Sequence, residues 1–455
     1  MKLVARVRLA VLAATVAACA TAGADGPDGI DIRHVDLALT VTPGQPIVAG
    51  EQTLAFAVRA PARTLRFDAG RLDVRAASID GEPVEISWPA EGSGVTGATV
   101  TAPDALRPDT EYRLRLDYET TPKRGLVNGP ELMASAYFAC DWMLCNQRDF
   151  SDRFTMDVAL DAPTSLMTLG PGRLVGHRAR TDGRTVWRWR TEEAFPAYVY
   201  AFAAGDLRVI PLDTPCATEF MVLTPDNADG LAEAFAPTCD MAQFFAAKAG
   251  TALPPQSYAQ LFVPDKRVAQ EAVSHAIIGG TFLKPILTDP QEDWVIAHEL
   301  AHQWWGNRVT AASLTEFWLN EGLVTYMVAA WKEERWGREA YEREITLNRR
   351  RWERGIERFR DVPLTFDGDY PSNGVRQSFQ YAKGAVFLHE LRAVVGEEAF
   401  WSGLATFTQQ NMGRPVTSDV FERAIQAKTV VDLEPMFEVW VHGFDQLEVP
   451  SKTTS

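Results

Sequence analysis

The chain has 455 residues, 46% of them hydrophobic and 23% charged, which places it with folded globular proteins and excludes disordered or fibrous classes. Its formal net charge is -15 and its pI is about 5.1, the opposite of the basic face that nucleic acid requires, so nucleic acid is excluded as a main partner. The length suffices for two or three domains with a large core.

The N-terminus reads as an export signal. Lys2, Arg6 and Arg8 precede an apolar run from Leu9 to Ala20 that is too short for a comfortable membrane span. Two cleavage readings are open. Val16-Ala17-Ala18-Cys19 resembles a bacterial lipobox, which would make Cys19 a lipid-anchored mature N-terminus after a signal of residues 1–18. Ala22-Gly23-Ala24 is an ordinary cleavage site. Either predicts a periplasmic protein. Cys140, Cys145, Cys216 and Cys239 then remain, an even number in an oxidising compartment. Three pairings are open, as are free buried thiols; the most local closures, Cys140–Cys145 and Cys216–Cys239, are expected.

After a short linker (residues 19–29), residues 30–209 read as a β domain. Val35 to Val41, Tyr112 to Tyr118 and Thr185 to Arg190 alternate apolar and polar residues, the signature of half-buried strands in a sandwich or curved sheet. Residues 210–450 change to a helical texture, ahead of a tail at 451–455. Helices are predicted over Ala228–Ala249, Asp293–Trp305, Glu316–Trp336, Arg338–Arg358, Phe379–Val395 and Ser418–Lys428. The fourth is dense in Arg and Glu and reads as a solvated face with i,i+4 ion pairs. The fold class is therefore α+β.

His298-Glu299-Leu300-Ala301-His302 is an H-E-x-x-H sequence inside a predicted helix free of Gly and Pro. Residues four apart share a helix face, so both imidazoles can bind one metal while Glu299 lies close to a water on it. A hydrolytic zinc site takes three protein ligands and keeps one position open. Eighteen residues separate His302 from Glu321, an acid in an apolar helical segment beside Gly322. Burial there is costly unless the carboxylate is paired or bound to metal, so Glu321 is the expected third ligand. Tyr381 is positioned to donate to an oxyanion if it lies near the metal. Glu271 reads as a surface carboxylate or as a substrate contact. His34, His177, His389 and His442 lack ligand spacing and are expected to be structural. His275, four residues from Glu271, is the exception to watch.

The run His298 to Asn307 and Trp318-Leu319-Asn320-Glu321-Gly322 resemble the aminopeptidase N family of zinc exopeptidases, the gluzincins. The resemblance implies Zn2+ on His298, His302 and Glu321, general-base chemistry at Glu299 on a zinc-activated water, and a transition-state role for Tyr381. It also implies peptide substrates with a free N-terminus. It implies an N-terminal saddle-like β-sandwich ending near Tyr198–Leu207 and a mostly helical thermolysin-like catalytic domain closing near Trp440–Leu447. The family's helical C-terminal domain has no counterpart in the chain, so a short two-domain form is expected. The family's Gly-x-Met-Glu-Asn motif reads here Val268-Ala269-Gln270-Glu271-Ala272, keeping only the Glu that holds a substrate's amino group. An endopeptidase or other zinc hydrolase on this scaffold, and a non-catalytic envelope protein, are the alternatives.

Overall fold

A computed structural model describes residues 29–443, apart from 90–96, 109, 227–228, 255–256 and 265–267. The export signal and Cys19 lie outside the described residues, as do the last residues of the expected catalytic-domain end.

The first half is built on a nine-stranded sheet. Its seven long strands are β1 (Ile30–Thr40), β2 (Val48–Val58), β3 (Leu72–Ile79), β4 (Tyr112–Thr120), β5 (Arg153–Pro163), β6 (Arg173–Ala179) and β7 (Arg184–Arg190). They lie in the order β6-β7-β5-β1-β2-β4-β3. Among the described residues of this sheet only β1 and β5 pair in parallel, with His34 opposite Thr155. The alternation in the sequence is the physical reason for the layout. Val35, Leu37 and Leu39 are buried while Asp36, Ala38 and Thr40 face solvent. Separate four- and three-stranded sheets complete the β half.

The second half is mostly helical but also holds a five-stranded sheet that the helical texture hid. Its strands are β8 (Arg208–Pro211), β9 (Phe220–Thr224), β10 (Tyr258–Val263), β11 (Ala269–Ala272) and β12 (His275–Gly279), in the order β8-β9-β10-β12-β11. β10 is parallel to both neighbours and buried at every residue, so it shows no alternation to read. Among the described residues β11 pairs only with β12, at the edge of the sheet.

Among the described residues seven helices of eight or more residues follow: α1 (Thr238–Ala249), α2 (Trp294–Ala301), α3 (Trp318–Trp336), α4 (Arg338–Arg358), α5 (Gly384–Val395), α6 (Glu397–Gln410) and α7 (Ser418–Gln426). The helix expected over Ala228–Ala249 is divided: a short turn, Leu231–Phe235, stops before Pro237, whose ring cannot sit in a helix interior. α4 carries the expected i,i+4 pairs, Arg338–Glu342 and Glu339–Arg343. Helix α6 was not foreseen. Both local disulfides, Cys140–Cys145 and Cys216–Cys239, are present. Among the described residues no helix is long and apolar enough to cross a membrane.

Candidate active site

Helix α2 carries His298 and Glu299, with His302 as its C-terminal cap. The two rings lie on one face, as the i,i+4 spacing dictates, with Nε2 atoms 3.3 Å apart. The Nδ1 of His302 is 2.9 Å from the carbonyl of Trp305, which fixes the ring and leaves Nε2 for the cleft. That approach requires Gly306: its φ is +125°, and a Cβ there would lie 2.6 Å from His302 Nδ1.

Glu321 reaches the same point from the first turn of α3. Its Oε2 is 3.4 Å from the Nε2 of His298 and 3.4 Å from the Nε2 of His302. That Oε2 is nevertheless without a hydrogen-bond partner, as is the buried Oε2 of Glu299. These four residues are at most 8% exposed.

The three donors form a nearly equilateral triangle with sides of 3.3–3.4 Å. Tetrahedral zinc with bonds of about 2.0–2.1 Å separates its donors by about 3.3–3.4 Å. The residues therefore fit that ion, and the orphaned Glu321 oxygen is where a cation is needed. The charges agree. Burial lowers His302, but Glu271 and Glu321 outweigh it and raise the imidazole to about 10. Burial raises Glu321, yet His302 and His298 pull its carboxyl well below the usual range. Burial leaves His298 below its ordinary value and pushes Glu299 well above its own.

Tyr381 lies in a π-helical turn, Ser378–Lys383, that runs into α5. Its ring is parallel to that of His298, with centroids 6.1 Å apart. Burial, then the Glu321 and Glu271 charges, keep its phenol protonated well above the ordinary range. The contact that brings this turn to α3 is glycine on glycine. A Cβ on Gly322 would sit 2.9 Å from Gln380 O and Gly384 Cα, and one on Gly384 would sit 2.8 Å from Gly322 Cα. Gly322→Ala is expected to destabilise the protein by about 1–3 kcal/mol and to lower zinc affinity, because the neighbouring Glu321 must move with the backbone. Denaturant midpoints and a zinc titration check this; native values for both would show that the two backbones have room to separate.

Glu271 comes from edge strand β11 and joins Glu299 and His302 in a group whose donor atoms all lie within 4.8 Å of one another. Burial first, moderated by His302, raises it to about 7. It is therefore no surface carboxylate. Gln303 and Asn307 anchor the strand: their side-chain amides donate to Ala272 O at 2.9 and 3.1 Å, tying β11 to the end of α2. Asn320 Nδ2 donates to the buried Tyr198 hydroxyl (2.9 Å), and that hydroxyl donates to Gly306 O (3.2 Å). Gln303, Asn307 and Asn320 stand inside the motif segments, but nothing in their spacing marks them as struts.

The structure thus gathers His298, Glu299, His302, Glu321, Glu271 and Tyr381. His275 does not join them: it is buried on β12, its Nδ1 lies 3.0 Å from Val273 O, and burial lowers it to about 4. His34 groups with Asp36 and Asp157 on the sheet surface, where Arg190 already engages Asp157. His389 Nδ1 is 2.7 Å from the Tyr341 hydroxyl. One residue at the site escaped sequence reasoning. Tyr137, from the β half, donates its hydroxyl to Ala269 O on β11. Its φ of +66° leaves no sequence signal in a non-glycine residue.

Comparison with known proteins agrees with this geometry. Residues 284–440 match the Peptidase family M1 domain. Among curated relatives, leucine aminopeptidase 2 of Aspergillus fumigatus is 27% identical over 282 residues, covering 60% of this chain and 44% of its own. Aminopeptidase N of Streptomyces lividans is 29% identical over 288 residues, covering 56% of this chain and 32% of its own. The chain thus spans less than half the length of these two relatives. The M1 zinc metallopeptidase of Deinococcus radiodurans superposes with a TM-score of 0.77 at 25% identity, covering 94% of this chain and 97% of that one. A mutant of that enzyme bound to a Tyr-Ser-Ala substrate gives 0.76 at 25% identity, covering 93% and 97%. With its ligand triangle and a match to the Peptidase family M1 domain over residues 284–440, the chain is similar to the aminopeptidase N-like zinc metallopeptidases of family M1.

Proposed function

We propose that the protein is a zinc-dependent aminopeptidase that removes N-terminal residues from peptides. The observation that carries this reading is the convergence of two further carboxylates, Glu299 and Glu271, on the triangle of His298, His302 and Glu321. A zinc ion held there supplies Lewis acidity, acidifying a water molecule and polarising the scissile carbonyl.

The chain's own groups do the rest. Glu299 takes the proton of the attacking water on Oε2, the oxygen with no other partner, and passes it to the leaving amine. Tyr381 keeps its proton and donates it in a hydrogen bond to the developing oxyanion. Glu271 receives the substrate's α-ammonium. A carboxylate raised to about 7 by burial regains its charge when that cation arrives, and the pair sets the first peptide bond against Glu299. The D. radiodurans relative bound to Tyr-Ser-Ala supports a peptide in this cleft. The two disulfides support an exported, periplasmic setting, with Cys19 as the candidate lipid anchor.

The test compares a free-amine aminoacyl reporter with its N-acetyl copy. A charge-assisted contact at Glu271 is worth about 1.5–3 kcal/mol, so acetylation, or Glu271→Ala, is expected to lower kcat/KM by about 10- to 150-fold without loss of zinc. Equal cleavage of the two reporters would move the assignment to an endopeptidase.

A further inference from the structure

Helix α4 is laced with ion pairs, and one of its arginines stands outside them. α3 and α4 form a helical hairpin joined at Gly337, so they run antiparallel. Lys332 on α3 pairs across it with Glu344 on α4, Nζ lying 2.5 Å from Oε1. Seven residues make about two turns of helix, so two turns beyond that pair Arg351 comes level with Thr325. No acid meets it there. The Thr325 hydroxyl is itself buried and has no hydrogen-bond partner. Arg351 is exposed and forms no ion pair among the described residues. Arg349, by contrast, is held by Glu390 at 2.8 Å.

That level of the hairpin adjoins the metal triangle. Thr325 follows Glu321 by four residues on α3, so the two share a face. Gly355 follows Arg351 by four residues on α4 and abuts the start of the Tyr381 turn: a Cβ on it would lie 2.5 Å from Ser378 Cβ. Arg351 therefore stands on the rim between the helix of Glu321 and the turn of Tyr381. Electrostatics agree with the placement. Burial first, then the charges of His302 and Arg351, lower the His298 imidazole against the pull of Glu321.

The cleft is thereby polarised. Glu271 clusters with Glu299 and His302. Arg351 acts at His298, the corner on which the Tyr381 ring is stacked. A peptide whose ammonium sits at Glu271 lays its first carbonyl between the triangle and Tyr381. The remainder of that peptide leads away from Glu271, past His298. The charge around Arg351 suits an anion: residues 349–360 hold six arginines and two glutamates in a chain of formal net charge -15.

We propose that Arg351 is a specificity-determining residue that receives a carboxylate on the leaving side of the scissile bond, within the first two residues after it. A guanidinium fork grips a carboxylate through two parallel N–H···O bonds. The inference rests on the aminopeptidase reading and deepens it by naming the substrate class, short peptides with an anionic leaving part. The carboxylate has two sources, the C-terminus of a tripeptide or an aspartate side chain just after the bond.

The experiment uses the full zinc-loaded chain and three peptides: Leu-Ala-Ala as the free acid, Leu-Ala-Ala as its C-terminal amide, and Leu-Asp-Ala as its C-terminal amide. Leucine release gives kcat/KM for each. At least one carboxylate peptide is expected to exceed the neutral amide by about 10-fold, or about 1.4 kcal/mol, chiefly through KM. Which one does so identifies the source. Arg351→Gln places a good helix former at an exposed position, so the fold is kept. It is expected to bring that ratio to about one, and Arg351→Lys to leave about threefold, because an ammonium keeps the charge without the fork. A purely structural effect, or one exerted through the metal, would move all three peptides alike and leave the ratio intact. Zinc titration and thermal unfolding of the variants check this separately. If the native protein cuts the three peptides equally, or Arg351→Gln keeps the native ratio, the role of Arg351 is overturned while the aminopeptidase reading stands. If none of the three free-amine peptides is cut, the aminopeptidase reading falls and this inference with it.

Discussion

Glu299→Gln is expected to leave a folded, zinc-loaded protein whose kcat is lower by about 10²- to 10⁴-fold. The substitution keeps the shape of a side chain buried on α2 and leaves all three donors of the metal triangle untouched. It removes only the oxygen that can accept a proton. Burial already pushes the Glu299 carboxyl well above its usual range, so the folded state gains nothing from its charge. The variant should therefore unfold at the same temperature as the native protein or slightly above it. Zinc content, thermal unfolding and single-substrate kinetics on a free-amine reporter check the three parts together. Near-native turnover would remove Glu299 from the proton path.

Stripping the metal is expected to take activity to background, reversibly with a chelator and permanently in Glu321→Ala. The triangle draws two corners from α2 and one from α3, so deleting Glu321 leaves a two-point site. The chelated native protein keeps Glu321 and Glu299 buried with unpaired oxygens, and it should also lose stability. Ligand linkage sets the scale: zinc at about 100 times its dissociation constant contributes about 2.7 kcal/mol, so chelation should lower the unfolding temperature by a few degrees. In Glu321→Ala one of those carboxylates is gone, and added zinc should raise the unfolding temperature little. Undiminished hydrolysis in excess chelator would overturn the metal-dependent chemistry.

Much of the architecture was legible in residue patterns, for reasons that vary by element. β1, β4 and β7 announce themselves because one face is wet and the other dry. β10 does not, because Tyr258–Val263 is buried on both faces. Helices α3 and α4 follow from long stretches free of proline, whereas the break at Pro237 divides a segment whose alanine content argues for continuity. The π-helical turn at Ser378–Lys383 has no marker, since widening a helix by one residue depends on what packs against it. Among site residues, Glu271 shows the limit most clearly. In the sequence it is one carboxylate among 60 acidic side chains; in the fold it is buried against His302 and Glu299.

What the sequence alone determined is what one helical repeat can hold. Four residues of α-helix place His298 above His302 and Glu299 beside them, whatever the remainder of the chain does, because rise and turn per residue are properties of the backbone. The chemistry of those donors and the export-compatible cysteines belong to the same local class. Only the tertiary structure decided which carboxylate completes the triangle and which tyrosine faces it. Glu321 and Tyr381 meet because Gly322 and Gly384 let two helical segments touch backbone to backbone. Tyr137 reaches Ala269 across 132 positions, from a separate half of the molecule. Such distances are set by how close-packed elements fit against one another, and no local stretch of residues carries that information.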